Sequence, residues 1–274
     1  MNKIIRIYCE GKKGSHDYDI LEKIIIDLPA IIIEPIGSVR GASAIIQYKE
    51  EESSSKSDFK ILFRDRDFDK EIPSIPSLEQ DENKKYCYFS YRVTIENYLF
   101  DVELFYQFIE KHNLKSKYSI SNQTDVKNKF IEAAKLIQDY QAIRHTMGKM
   151  RLDSNFGTTF MQESGKLPAD LTLEYCKKEA YQKIADKKNQ LENNWTKQNF
   201  DEILANFLTK FDDVFMDNLE FLVYFQGKDF AAAIQKILPE FPTKDYYKFA
   251  KEKFDYTKFT DLVKLRELLE ANSN

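Results

Sequence analysis

Glycine and proline are scarce in this chain, 8 and 7 residues in 274, which excludes fibrous and low-complexity architectures. Cysteine is scarcer. Cys9, Cys87 and Cys176 stand in apolar or helical settings, and their spacing fits neither a disulfide framework nor a zinc site, so they read as ordinary reduced thiols. No apolar run approaches the roughly 20 residues of a membrane span. The first apolar run is too short for a signal peptide and leads directly into Glu10. A soluble cytoplasmic protein with no membrane partner is expected. The chain carries no P-loop, so ATP hydrolysis by its own residues is not expected. Positive charge is not in excess either. The net charge of −4 argues against indiscriminate nucleic-acid binding, though not against a local basic groove beside an acidic metal site. What the chain does have is 42% hydrophobic and 14% aromatic residues to build a core, and 31% charged residues to cover it. The length suits one large domain or two modest ones.

Two apolar runs near the N-terminus end in acid. Ile4-Ile5-Arg6-Ile7-Tyr8-Cys9 runs into Glu10-Gly11, and Phe59-Lys60-Ile61-Leu62-Phe63-Arg64 runs into Asp65-Arg66-Asp67. Both are β-branched and aromatic enough to be buried strands, where a terminal acid is costly unless it has work to do. Open α/β sheets bind ligands at the carboxyl ends of their strands, so these carboxylates are expected in one crevice. Hard oxygen ligands of this kind suit Mg²⁺ or Mn²⁺, and Mg²⁺ pairs with phosphate chemistry.

Between these runs, residues 17–26 have helical spacing with an aspartate at the start, 31–36 read as a strand that Pro35 and Gly37 stop, and Ser43–Tyr48 read as a helix dissolving into the acidic and serine-rich stretch 50–55. Tyr86–Phe89 form a fourth strand after a Pro- and acid-rich connection, 69–85. The order β-α-β-α-β-loop-β calls for a mostly parallel, Rossmann-like sheet. From Val102 onward the apolar spacing is helical almost to the end. The polar stretch from about Arg144 to Pro168 reads as a long loop. The division expected is 1–115 for the α/β domain and 116–274 for a mainly α-helical region making substrate, dimer or partner contacts.

The acid-Gly pair ending one strand, followed two strands later by Asp-x-Asp, resembles the Toprim fold shared by topoisomerases, primases and OLD-family nucleases. The longer succession Asp65-Arg66-Asp67-Phe68-Asp69, Cys87-Tyr88-Phe89 and Thr94-Ile95-Glu96-Asn97-Tyr98-Leu99 resembles the OLD-like branch found in anti-phage defence operons. It is most similar to the Toprim effectors of PARIS systems, toxic RNA-cleaving nucleases that work beside an ABC-type ATPase. The resemblance covers about the first 115 residues. It implies Glu10, Asp65 and Asp67 as catalytic residues and metal ligands, Glu10 doubling as general base, and Glu96 as a ligand at a second metal position. It implies Mg²⁺ or Mn²⁺ as cofactor, RNA (tRNA before DNA) as substrate, abortive infection as the outcome, and restraint by the ATPase until a phage trigger. The family often has another acid soon after Glu-Gly; here Lys12-Lys13-Gly14-Ser15-His16 intervenes, and Asp17, Asp19 or neither supplies it. Asp69 reads better as a loop acid, and Glu96 reads equally as a helix N-terminal charge.

Lys12, Lys13, Arg40, Arg64 and Arg66 fall at the same expected sheet edge, where cations reverse the sign that acids present to phosphate. Arg144, Lys149 and Arg151 make the most basic short stretch of the helical half, a phosphate contact or a solvated loop. The Phe and Tyr residues at helical spacing, such as Tyr246, Tyr247 and Phe249, read as core and interface rather than base-stacking platforms, and leave room for a homodimer. His16 reads as a loop residue and His112 as a surface one. Two other functions fit the same acids: a regulatory subunit with a vestigial site, and a Mg²⁺-dependent phosphoryl-transfer enzyme with Asp65 as nucleophile. A topoisomerase is disfavoured by the short chain and the lack of a DNA-gate domain.

Overall fold

The computed structural model describes residues 4–28, 31–37, 41–52, 59–68, 70–152, 165, 167–187 and 196–273. The chain divides into two compact units. The first comprises Met1–Arg66, Pro73–Tyr91 and Ala250–Asn274, and the second Asp67–Ile72 and Arg92–Phe249.

In the first unit the elements are β1 (Ile5–Cys9), α1 (His16–Ile24), β2 (Ile31–Pro35), α2 (Ala42–Glu52), β3 (Phe59–Arg64), β4 (Glu79–Gln80) and β5 (Cys87–Phe89). Among the described residues they form one sheet in the order β2-β1-β3-β5-β4, parallel except for the β4 edge. Every residue of β1 is buried, as a central strand with both faces covered requires. The fold class is therefore α/β with a mostly parallel sheet, as the strand-and-helix alternation predicts. Three local details differ. α2 runs on through Glu50–Glu52, because Gln47 and Glu51 hydrogen-bond one turn apart and Glu50 accepts from Lys60 and Tyr8. His16 opens α1 rather than lying in the loop before it. β4 is two polar residues held by the register Glu79↔Phe89 and Gln80↔Tyr88, with no apolar pattern to announce it.

The second unit is helical: α3 (Val102–Lys111), α4 (Lys115–Tyr118), α5 (Gln123–Lys149), α6 (Leu173–Lys187), α7 (Lys197–Lys210), α8 (Asp213–Asp217), α9 (Phe221–Tyr224) and α10 (Gly227–Ile237), after a 3-10 turn at Ile95–Leu99. The central helix, α5, packs against α3, α6, α7, α8 and α10. It starts at a full capping box, in which the Asn122 side chain accepts from the Asp125 N–H and Asp125 accepts in return. Asp101, Thr196, Asp212 and Gln226 cap α3, α7, α8 and α10 in the same manner, each satisfying an N–H that the helix leaves orphaned. The core is aromatic, as the helical spacing predicts. Phe105 stacks on Phe241 at 4.7 Å, and buried Tyr246 donates to the Leu99 carbonyl at 2.6 Å.

α11 (Thr243–Lys253) and α12 (Thr260–Ser273) close the chain, and α12 packs on β1. The C-terminal segment Ala250–Asn274 thus belongs with the sheet in the first unit. The reason is the apolar face of α12, whose Leu262, Leu265 and Leu269 are fully buried. No described helix is long and apolar enough to cross a membrane.

Candidate active site

The crossover through α1 carries the chain from β1 to β2 on one side, and the crossover through α2 brings β3 back to the other side of β1. β1 and β3 are therefore parallel neighbours whose connections leave in opposite directions. This is the topological switch point at which open α/β sheets form their ligand crevice. Glu10 directly follows β1 and Asp65 directly follows β3. Continuing the register Tyr8↔Leu62 by two residues sets Glu10 against Arg64, the residue before Asp65. The two acids thus leave the sheet at one level, and both are half-buried.

The turn after Glu10 explains its glycine. The Gly11 N–H donates to Asp17 Oδ2 at 2.6 Å, and the Ser15 hydroxyl bonds both Asp17 Oδ1 and the Lys12 carbonyl. A Cβ on Gly11 would collide with the Asp17 carboxylate and the Ser15 side chain. Residues 12–15 are a tight turn that feeds α1 and leaves Lys12 and Lys13 exposed beside Glu10. Asp17 is accordingly a loop fastener. Asp19 pairs with Lys251 at 2.5 Å. Cys9, at the end of β1, is buried, and burial followed by the Asp17 charge pushes its thiol well up, so it stays protonated.

The cations at the β3 end divide. The Arg64 guanidinium lies over the Phe89 ring, 5.1 Å from its centroid, and stays half-buried. Arg66 is wholly buried, pairing with Glu79 at 2.7 Å and donating to the Ser90 carbonyl at 3.0 Å. Its expected role as a phosphate contact is corrected: Arg66 ties the end of β3 to β4 and to the residue after β5. Arg40 and Asp69 lie outside the described residues.

Asp67 and Glu96 belong to the second unit. Asp67 has a left-handed backbone, φ 46°, which aspartate tolerates better than most residues, and its N–H donates to the Val93 carbonyl at 2.8 Å. Glu96 lies in the first turn of the 3-10 helix and is only 5% exposed, so it is no solvated helix-end charge. Its Oε1 stands 3.6 Å from Lys228 Nζ, while Oε2 has no hydrogen-bond partner among the described residues. Lys228 offsets the charge, while a buried carboxylate oxygen with no hydrogen bond is costly.

The turn that presents Glu96 is bolted in place. Asn97 Nδ2 donates to the Leu222 and Phe225 carbonyls at 2.9 and 2.7 Å, and the Thr94 hydroxyl donates to Asn97 Oδ1 while accepting from the Gly227 N–H. A Cβ on Gly227 would come within 2.6 Å of Asn97 Oδ1 and 2.7 Å of Glu96 Cβ. Sequence reading misses Thr94, Asn97 and Gly227 as a unit, because the partners lie over a hundred residues apart.

The basic stretch 144–151 is corrected as well. α5 extends through Lys149, so residues 144–149 are helical, and 153–164 lie outside the described residues. Arg144 is buried against the Asp229 carboxylate, with its guanidinium 4.5 Å from the Phe68 ring centroid, and cannot serve as a phosphate contact. Gln141 and the Gly165 N–H complete the bonds to Asp229, each at 2.9 Å. Lys149 makes a solvated pair with Glu71, and Arg151 is exposed just past the helix end.

Among the described residues no three His, Cys, Asp or Glu side chains are gathered as a metal cage. Glu10 and Asp65 are carboxylates, the donor type of Mg²⁺, which keeps several waters and is commonly held by one or two carboxylates together with substrate phosphate. No protein-family model matches the chain, and no curated protein matches it significantly.

Proposed function

We propose that the chain is a Mg²⁺- or Mn²⁺-dependent nuclease of the OLD-like Toprim type. It cleaves RNA, tRNA first, as the cytoplasmic toxic effector of an anti-phage system restrained by an ABC-type ATPase. The observation that carries the enzymatic part is the pair Glu10 and Asp65 at the β1/β3 switch point, each ending a strand of the sheet. The substrate, the defence role and the ATPase rest on the resemblance of the Glu10-Gly11, Asp65-Arg66-Asp67 and Thr94–Leu99 segments alone.

In this reading Glu10 and Asp65 hold a divalent ion, and the roles of Asp67 and Glu96 as further ligands rest on the resemblance alone. A bound ion supplies charge neutralisation at phosphorus and a more acidic attacking water. Glu10, half-buried on a fastened turn, is in this reading the base that accepts the water proton. The Asp17–Gly11 bond keeps the Glu10 backbone from drifting, and positioning of this kind matters because small displacements of a catalytic group cost large factors in rate. Exposed Lys12 and Lys13 draw phosphate toward an acidic sheet end.

Purified protein is expected to cleave tRNA with added Mg²⁺ or Mn²⁺ and to lose at least a hundredfold of that activity on Glu10→Ala. Equal cleavage by both proteins rejects the reading. A phosphorylated Asp65 trapped during turnover decides instead for phosphoryl transfer. Failure to co-purify with an ATPase encoded beside it rejects the restraint step alone.

A further inference from the structure

An open cleft of about 810 Å³ runs along α6 in the second unit, with Lys197 at the start of α7 on its edge. Among the described residues its lining includes Lys177, Lys178, Lys197 and Glu174; Asp201 pairs with Lys177, which leaves Lys178 and Lys197 as exposed cations. The floor is apolar, made by Leu173, Ala185 and the ring of Tyr181. We propose that this cleft binds a single-stranded nucleic-acid segment, taking phosphates on the lysines and one base on Tyr181.

Three features favour that ligand. Tyr181 is fixed as a platform, since its hydroxyl donates to both oxygens of Asp201, at 2.5 and 2.6 Å, and Lys177 holds the same carboxylate at 2.6 Å. Two ammonium groups stand near the ring, Lys177 at 5.5 Å and Lys197 at 5.1 Å from its centroid. A base that takes a ring face displaces an ammonium which then meets the neighbouring phosphate, so one exchange serves both halves of a nucleotide. Lys178 and Lys197 are exposed, and Lys197 opens α7, whose first-turn N–H groups favour anions. An acidic peptide would use the lysines but leave the apolar floor and the ring without a partner. The sequence points instead to the 144–151 stretch, where the structure buries Arg144 and leaves Lys149 and Arg151 exposed.

The proposal does not depend on the metal site, and its test avoids cleavage altogether. Fluorescence anisotropy with a labelled 12-nucleotide single strand, as RNA and as DNA, is run in EDTA at several salt concentrations. Wild type and Lys178→Glu/Lys197→Glu are compared, with a thermal melt to verify the fold of the variant. The expected result is at least a tenfold loss of affinity, with the slope of log K against log salt falling by about 1.4, since each lost contact to a single strand removes about 0.7. Tyr181→Leu is expected to weaken binding severalfold without changing the salt slope. Equal loss with RNA and DNA assigns recognition to phosphate and base; loss with RNA alone adds the ribose hydroxyl. Unchanged affinity and slope in the double variant overturn the proposal, as does a wild type that binds neither strand.

Discussion

His145 lies on the buried face of α5 with its ring stacked on Phe207 at 4.9 Å and set edge-on to Phe68 at 4.8 Å. Its Nε2 meets the Tyr224 carbonyl at 2.8 Å, and because a carbonyl only accepts, the ring donates from Nε2. Burial lowers its pKa from 6.5 to about 3, so the folded protein holds it neutral. The unfolded chain takes up a proton below pH 6.5 that the folded state refuses until about pH 3. Stability therefore falls as pH drops across that window, by up to about 1.4 kcal/mol per pH unit from this residue. Thermal melts from pH 7 to pH 4.5 are expected to show a steeper decline for wild type than for His145→Gln; parallel curves contradict the assignment. Arg144 makes a second residue-scale case. Arg144→Met leaves the Asp229 carboxylate buried without its cation, a change that costs about 3–5 kcal/mol in comparable buried pairs. Urea denaturation is expected to register that loss, and a loss under about 1 kcal/mol would show that Asp229 finds another partner.

At the scale of elements, the 3-10 turn at Ile95–Leu99 and the start of α10 act as one piece, joined by Thr94, Asn97 and Gly227. Gly227→Ala is expected to destabilise the second unit by about 2 kcal/mol or more, because overpacking at a tight backbone approach forces both segments apart. A melting temperature within a degree of wild type would mean the contact yields cheaply. The same elements show why some of the fold can be read from sequence and some cannot. β3 spans Phe59–Arg64, the limits the sequence predicts, because a buried parallel strand is a local apolar run bounded by polar residues. The end of α5 is unreadable for the opposite reason. Gln141, Arg144, His145 and Thr146 are all buried and polar, satisfied by Asp229, the Tyr224 carbonyl and the Ala142 carbonyl, so they erase the helical hydrophobic period. At the site, Glu10 and Asp65 are legible because each terminates an apolar run. The buried setting of Glu96 and the diversion of Arg66 to Glu79 depend on partners that no local pattern names.

At the scale of the whole chain, the first unit is not complete until its last helix returns. Asp261 accepts from the Tyr91 N–H at 2.8 Å, Arg266 donates to the Ile24 carbonyl at 2.6 Å, and Leu262, Leu265 and Leu269 are fully buried. Each leucine contributes about 1.5–3 kcal/mol on burial, so their sum rivals the 5–15 kcal/mol stability of an ordinary domain. A chain ending before Thr260 is expected to lose the cooperative unfolding of the sheet and, with it, the placement of Glu10 and Asp65. A truncated chain that melts like wild type would show that α12 is dispensable. A returning C-terminal segment is not legible from local pattern, since nothing in residues 260–273 indicates which surface they cover.

The central claim is that the acids ending β1 and β3 act together on a divalent ion, and Mn²⁺ titration followed by electron paramagnetic resonance tests it most directly. Wild type is expected to bind Mn²⁺ in competition with Mg²⁺, with affinity reduced at least tenfold in both Glu10→Gln and Asp65→Asn while the thermal melts stay within a few degrees. Mn²⁺ binding that is absent from wild type, or undiminished in both variants, would contradict a metal site at the switch point of this sheet.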